Sequence, residues 1–463
     1  MQELVGFSKR LQLVSAIILA LAIAAVAQTT SGDLAGTIYD PTGATIPGAT
    51  IVAKNEATGV EYNTKSTSTG EYHISNLPAG SYTITVTAAG FNQAQVKAAQ
   101  VTLNQIATNN VTLGVAAATQ TVEVSAAGAN IDTTTQQIQN TFGPETLMEL
   151  PSASTGSGII NLSLLNAGVS TAGAVGAGTG PSVGGQRPRN NNFTIEGIDN
   201  NNDSITGPVV TVPNDSVSEF TVLQNQFTPE FGHSSGGQFN QVVKSGSNSL
   251  HGEAYEYLIN RNFNAADNLS FVEGTPLHPR YDNNRFGGNA GGPIIKNKLF
   301  WFFDYEYNPI GQSALPGEVF APTSAGWNTI ASIPGINQSN LNQLKKYLGT
   351  AASPVPASTL TGGAYPKVGP GNASLGQQSA SAVPIEVGQL PISAPNFTNN
   401  EAGVASVDYN ISDHDNLRGR FILNRSGIID TAATLPVFFT TEPVNGYITT
   451  LSEFHNFSAS MVN

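Results

Sequence analysis

Beyond residue 250 the chain repeatedly alternates large apolar and polar side chains with a period of two. In "KLFWFFDYEY", Leu299, Trp301, Phe303, Tyr305 and Tyr307 fall on one face, while the other runs from Phe300 and Phe302 to Asp304 and Glu306. In "ASVDYNISDHDNLRGRFILNR", Ala405, Val407, Tyr409 and Ile411 oppose Ser406, Asp408, Asn410 and Ser412. A polar turn, Asp413 to Asn416, then leads into Leu417, Gly419, Phe421 and Leu423, which oppose Arg418, Arg420 and Asn424. This period predicts strands and a hairpin with one greasy and one charged face. Aromatics suit the boundary of a lipid-facing strand. A sandwich hairpin packed on a protein core has the same period, so the period alone leaves both solvents open.

The earlier residues alternate differently. In "GSYTITVTAAGF", Tyr82, Ile84 and Val86 oppose Thr83, Thr85 and Thr87, and "GDLAGTIYDPTGATIPGATIVAKNEATG" punctuates short strands with turn dipeptides, as a small β-sandwich does. Next, "GVAAATQTVEVSAAGANID" isolates a strand, Thr121 to Ser125, among small residues. That strand either pairs inside a domain or lends its edge to another protein. A run of small residues from Asn166 to Gly185 predicts a loop. After it, "SVGGQRPRNNNFTIEGIDNNN" sets Arg187, Arg189 and the Asn190, Asn191, Asn192 cluster just before a strand over Phe193 to Ile198. The tract Asn308 to Asn400 is rich in Pro, Gly and Ser, with one helix expected in "SNLNQLKKYLG", capped by Ser339 and ended by Gly349. A loop of that length is unusual in a compact soluble domain, whereas outer-membrane barrels join strands by short turns at one end and long loops at the other.

Composition sharpens this picture. Charged residues are 11% of the chain, against about 25% in ordinary globular proteins, and 48 glycines help to fill the gap. The net charge of -13 with 19 Lys and Arg among 463 residues excludes nucleic acid as the main partner. Without cysteine there are no disulfides, thiolate metal sites or thiol nucleophiles. At the N-terminus, Lys9 and Arg10 precede "LQLVSAIILALAIAAVA", the pattern of a secretory signal with cleavage expected after Ala27. Its 17 apolar-rich residues, interrupted by Gln12 and Ser15, are short for a spanning helix. Export is expected either way.

Candidate chemistry is sparse. "GHSSG", Gly232 to Gly236, fits Gly-x-Ser-x-Gly with Ser234 as nucleophile, but a strand-like "QFNQVV" follows where a hydrolase elbow needs a helix. "DNNNDS" from Asp199 begins like a calcium loop, yet Ser204 and Val210 stand where Gly and Glu are needed. His251 has no partner ligands at metal spacing, and no phosphate-binding Gly-x-x-x-x-Gly-Lys loop occurs. The expectation is a protein that is not an enzyme, with no catalytic residues, metal or cofactor.

The succession of modules resembles the TonB-dependent outer-membrane receptors, specifically the Oar-like branch with an N-terminal carboxypeptidase regulatory-like domain. The resemblance rests on "GTIYDPTGATIPGATI" and "STGEYHISNLPAGSYTITVTAAGF", "TQTVEVSA", "GGQRPRNNNFTIEGIDNN", "EFGHSSGGQFNQVVKSGSNSLHGEAYEYLINRNFNAADN" and "NRFGGNAGGPIIKNKLFWFFDYEY". It implies a mainly β chain organised as a signal peptide (1–27), a transthyretin/Ig-like regulatory sandwich (28–115), and a TonB-box-like strand with a mixed α/β plug domain (116–249). The start of an antiparallel transmembrane β-barrel follows (250–463), with a long loop over 308–400. It also implies energy-coupled uptake of a bulky solute across the outer membrane. The partners implied are a TonB-type inner-membrane complex, which would pair with Thr121, Val122, Glu123, Val124 and Ser125, and outer-membrane lipid. The solute, whose identity is unknown, would meet Arg187, Arg189 and Asn190 to Asn192 in a plug loop. The family's barrel of about 22 strands needs roughly 220 residues at about ten per strand, and 214 remain from Leu250 with the long loop among them. An incomplete barrel is therefore expected. A surface adhesin or glycan-binding β-protein is the alternative, and it leaves the aromatic hairpins unexplained.

Overall fold

The computed structural model describes residues 31–115, 122–125, 137–149, 158–171, 180–203, 207–225, 227, 231–232, 234–266, 272, 278–360, 363–368, 383–412, 414–430, 435–458 and 461–462. The expected signal, Thr121 and residues 172–179 of the small-residue run lie outside them. Among the described residues no helix is long and apolar enough to cross a membrane, which says nothing of strands.

The first unit is the expected sandwich. One sheet is β4-β1-β7, with β8 also on β1: β1 (Gly32–Tyr39), β4 (Glu71–Leu77), β7 (Ile106–Thr108) and β8 (Val111–Thr112). The other runs β3-β2-β5-β6-β9: β2 (Thr50–Asn55), β3 (Glu61–Lys65), β5 (Gly80–Thr87), β6 (Ala94–Val101) and β9 (Val122–Ser125). The alternation read in β5 holds, with Tyr82, Ile84 and Val86 wholly buried between the sheets. β9, the isolated strand of the sequence, has found a partner inside the chain and lies parallel to β6.

The middle unit is a five-stranded sheet, β10-β15-β16-β13-β14, from β10 (Ile138–Phe142), β13 (Asn192–Ile195), β14 (Ile198–Asp199), β15 (Val217–Asn225) and β16 (Gln238–Val243). A small ladder, β11 (Val169–Ser170) with β12 (Ser182–Val183), lies beside it. The strand expected over Phe193 to Ile198 is two strands, because Glu196 and Gly197 both take positive φ and turn the chain back on itself. Its core stacks Phe193, Phe239, Phe220 and Phe142.

The third unit is one seven-stranded sheet, β17-β18-β19-β24-β25-β26-β27, from β17 (His251–Asn260), β18 (Tyr281–Ile295), β19 (Leu299–Gln312), β24 (Phe397–Asn410), β25 (Asp415–Asp430), β26 (Thr440–Ser458) and β27 (Met461–Val462). Every pairing is antiparallel, and the sheet is open, with β17 and β27 at its edges among the described residues. The mixture of glycine and aromatics in β18 and β19 now has a cause. Trp301, Phe303 and Tyr305 stand directly across from Gly292, Ala290 and Gly288 in the register, so the small residues leave room for the large rings. Phe303, Tyr305, Val407 and Phe421 are exposed on one face, while Phe300, Phe302, Asp304, Ser406, Arg418 and Arg420 are buried on the other.

Turns at one end are short, 296–298 and 411–414, and connections at the other are long, 261–280, 313–396 and 431–439. The longest folds on itself. β20 (Leu315–Pro322) pairs β23 (Val387–Ala394), β21 (Lys367–Val368) pairs β22 (Val383–Pro384), and helices at Ser324–Ala331 and Gln338–Leu348 pack Trp327, Ile330 and Leu341 on Ile385 and Val387. The second helix is capped by Asn337, which accepts from Asn340 N, rather than by Ser339, and Gly349 ends it as expected.

Candidate functional site

The buried face of the seven-stranded sheet is polar, and the middle unit meets it. At the base, Arg420 Nε donates to Glu196 Oε1 and Nη2 donates to Asp408 Oδ1, both at 2.9 Å, with the guanidinium almost wholly buried. Ser216 donates to Asp304 Oδ2 at 2.5 Å, Ser245 to Asp408 Oδ2 at 2.6 Å, and Tyr257 to Asp215 Oδ1 at 2.9 Å. Higher up, the Asn424 amide pairs with backbone across the gap: Thr211 N donates to its Oδ1 at 2.5 Å and its Nδ2 donates to Thr211 O at 2.9 Å. Between these bonds Val404 and Ile422 press into the middle unit's apolar core. Burial pushes the Asp215 carboxyl above its ordinary value, with the Tyr257 hydrogen bond opposing.

The chain passes between the two units at "KSGSN", where a Cβ on Gly246 would lie 2.3 Å from Trp301 O and 2.7 Å from Gly292 O. Only glycine fits so close to the first hairpin turn.

At the long-loop end a cavity of about 460 Å³ opens between the middle unit and the wall. Asn202, Asn214, Asn308, Asn400 and Asn424 line it with Arg285, Arg425, Glu306 and Glu401. Such a lining offers many donors and acceptors to an oxygen-rich solute.

The sandwich sits at the opposite, short-turn end. Asn248 N donates to Ala57 O at 3.1 Å and Asn248 Nδ2 to Asn297 Oδ1 at 2.6 Å, while Asn76 Nδ2 donates to Asn456 Oδ1 at 3.1 Å. Phe300, at the near end of β19, joins the sandwich's own apolar cluster. On the middle unit, Glu219 Oε1 accepts from Leu103 N at 2.9 Å and Gln139 Nε2 donates to Leu103 O at 2.9 Å. Burial pushes the Glu219 carboxyl up to about 7, against the hydrogen bonds from Leu103 and Thr221.

The residues singled out in the sequence fall in different places. Arg187 and Arg189 are exposed in the segment before β13, and neither is among the residues lining the 460 Å³ cavity. Asn190 Nδ2 donates to Gln186 Oε1, Asn191 Nδ2 to Pro181 O, and Asn192 Nδ2 to Gln238 Oε1, so these amides brace the middle unit. Val122 to Ser125 form β9, in backbone register with Ala94 to Lys97. Ser234 donates to Asn190 O and accepts from Gly236 N, and the strand β16 follows it. Asp199 Oδ1 accepts from Asn201 N in a tight turn.

Sequence reading missed Glu196, Asn424 and Thr211. Their one available signal was the placing of charges on the period-two face that carries Arg418, Arg420 and Asn424. It also passed over Asp415, Glu453 and His455, whose donor atoms lie within 4.8 Å of one another near the second short turn. There His455 and Asp415 already hydrogen-bond each other.

Comparison with known proteins agrees with this geometry. Residues 242–463 match an outer membrane beta barrel domain and residues 33–114 a carboxypeptidase regulatory-like domain. The TonB-dependent transporter Oar of Myxococcus xanthus is 29% identical over 127 residues, which are 27% of this chain and 12% of that protein. Among solved structures, the outer membrane transporter YddB from Escherichia coli is 11% identical with a TM-score of 0.42, covering 69% of this chain and 37% of its own. The siderophore receptor PirA from Acinetobacter baumannii is 15% identical with a TM-score of 0.36, covering 64% of this chain and 32% of its own. The chain thus spans well under half the length of each. Residues 33–114 are similar to carboxypeptidase regulatory-like domains and residues 242–463 to outer membrane beta barrel domains, and the resemblance to the Oar-like TonB-dependent receptors holds.

Proposed function

We propose that this chain serves energy-coupled uptake of a bulky solute at the outer membrane, with the middle unit as the plug of the barrel. The observation that carries the reading is the contact between them. The middle sheet, whose apolar core takes in Val404 and Ile422 of the wall, is otherwise held to the wall's polar face by hydrogen bonds and ion pairs, among them Arg420 with Glu196 and Asn424 with Thr211, as a stopper that must later shift would be. The short-turn end, where the sandwich sits, then faces the periplasm, and the long loops face outward.

In this reading the solute first meets the long loops and the exposed Arg187 and Arg189, then the Asn- and Arg-lined cavity. Asn190 to Asn192 hold the plug loop in shape behind them. Energy arrives at Thr121 to Ser125, where a TonB-type partner adds a strand to the chain. Export by the N-terminal signal precedes all of this.

The test is uptake by cells carrying the intact gene, its deletion, or Val124→Pro, grown on panels of oligosaccharides, peptides and metal chelates as sole nutrient sources. Growth on at least one bulky solute should require the gene and be lost in Val124→Pro, because proline cannot donate to a strand ladder. A Val124→Pro strain that grows as the native strain does on every gene-dependent solute would refute the energy-coupled reading.

A further inference from the structure

The box-like strand is not free. β9 lies parallel to β6, with Ala94 opposite Val122, Gln95 opposite Glu123, Val96 opposite Val124 and Lys97 opposite Ser125. The far side of β6 is already paired with β5. Without β9, β6 would be an open edge of the sandwich sheet, and an unpaired edge is the surface on which strand addition occurs.

We propose that the β6 edge of the regulatory sandwich is a docking surface whose occupant is residues 122–125 of this chain, so that the sandwich masks the box-like strand until a partner displaces it. The inference rests on the box reading given above. Its physical content is a competition for one strand. β9 can give the backbone groups on its β6-facing side either to β6 or to a strand of the partner, but not to both at once. A partner that needs that side binds only the undocked fraction, so its apparent affinity falls in proportion to that fraction.

The position of the sandwich supports a mask over a mere spacer. It is braced at three places: Ala57 and Thr58 against Asn248, which is itself bonded to Asn297 at the first short turn, Asn76 against Asn456 on β26, and Leu103 against Glu219 on the middle unit. The edge that holds β9 is therefore fixed relative to the barrel. A strand leaving it has its departure point set.

The chain has no cysteine, so a pair of introduced thiols reports on this contact alone. Gln95→Cys with Glu123→Cys places them on register partners, and Gln95→Cys with Ser125→Cys is the out-of-register control. The full chain in detergent would be oxidised mildly, and binding of the purified periplasmic domain of the cell's TonB-type protein measured before and after reduction. The expected result is a crosslink in the register pair and much less in the control, with the locked protein binding at least about tenfold more weakly than the same protein reduced. Failure of the register pair to crosslink overturns the masking and leaves the box reading intact. Equal binding locked and reduced also overturns it, since the partner would then use the other side of β9. A crosslink with no binding in either state overturns the box reading itself, and the masking with it, while the β6–β9 pairing stands.

Discussion

Arg420 and Glu196 meet at 2.9 Å across the boundary between the barrel wall and the middle unit, both almost wholly buried. The same guanidinium donates to Asp408 at 2.9 Å, on the strand beside its own. One cation therefore pairs with two carboxylates, one fixed to the wall and one carried by the middle unit. Glu196 sits at positive φ in the tight turn between β13 and β14, so its aim is set by the backbone more than by a rotamer search.

Removing the cation strands two carboxylates, Glu196 buried and Asp408 partly buried. Arg420→Met should destabilise the assembly by about 3–5 kcal/mol, the range for breaking a buried pair from one side. Arg420→Met with Glu196→Gln should lose less than the two single variants summed, because the second change removes one of the stranded charges. Denaturant midpoints of the four proteins in detergent check this. Additive losses would mean that the pair does not couple the middle unit to the wall.

Glu219 gives a pH dependence of known sign. Its folded pKa is raised by burial to about 7 from an ordinary value of 4.5, with hydrogen bonds from Leu103 and Thr221 opposing and no charged group contributing. Between those values the folded protein holds a proton that the unfolded chain has lost. The group's contribution is therefore most favourable at acid pH, falls as pH rises from about 4.5 to about 7, and is flat above. The whole fall is about 3 kcal/mol. Glu219→Gln keeps an acceptor for Leu103 N and removes the titration. The difference between native and variant stability, measured from pH 4 to pH 8, should follow this curve, and a flat difference would mean that the carboxyl titrates normally.

Much of this was legible in the chain itself. The strand alternation at Leu299 to Tyr307 and Ala405 to Asn424 fixed which side chains face inward, because a strand has two faces and the residues differ sharply between them. Tyr82, Ile84 and Val86 marked the sandwich core for the same reason. What could not be read was pairing between distant segments. No local pattern tells that Val122 will lie beside Ala94, since the parallel register depends on the sandwich being folded first. The asparagines show the same gap: nothing local tells that the side-chain amides of Asn190, Asn191 and Asn192 donate to Gln186, Pro181 and Gln238. Asn424, which bridges the middle unit and the wall, stood in a strand among other polar residues with nothing to distinguish it.

The sharpest test of the barrel concerns Phe303. It is the fifth of the fourteen residues of β19, on the exposed face between Trp301 and Tyr305, while its neighbours Phe302 and Asp304 are buried on the other. If that face meets hydrocarbon, Phe303→Arg puts a charge where no water can hydrate it and costs about 2–4 kcal/mol near the midplane. Phe303→Leu keeps an apolar surface and should behave as the native protein does. The readout is the amount recovered in the outer-membrane fraction and the shift in gel migration on heating, both of which should fall for the arginine variant and persist for leucine. An exposed face in water gives the reverse: arginine there is harmless and even favours solubility. Equal recovery of the two variants would therefore take the lipid away from this face, and with it the reason for so many aromatics opposite glycine.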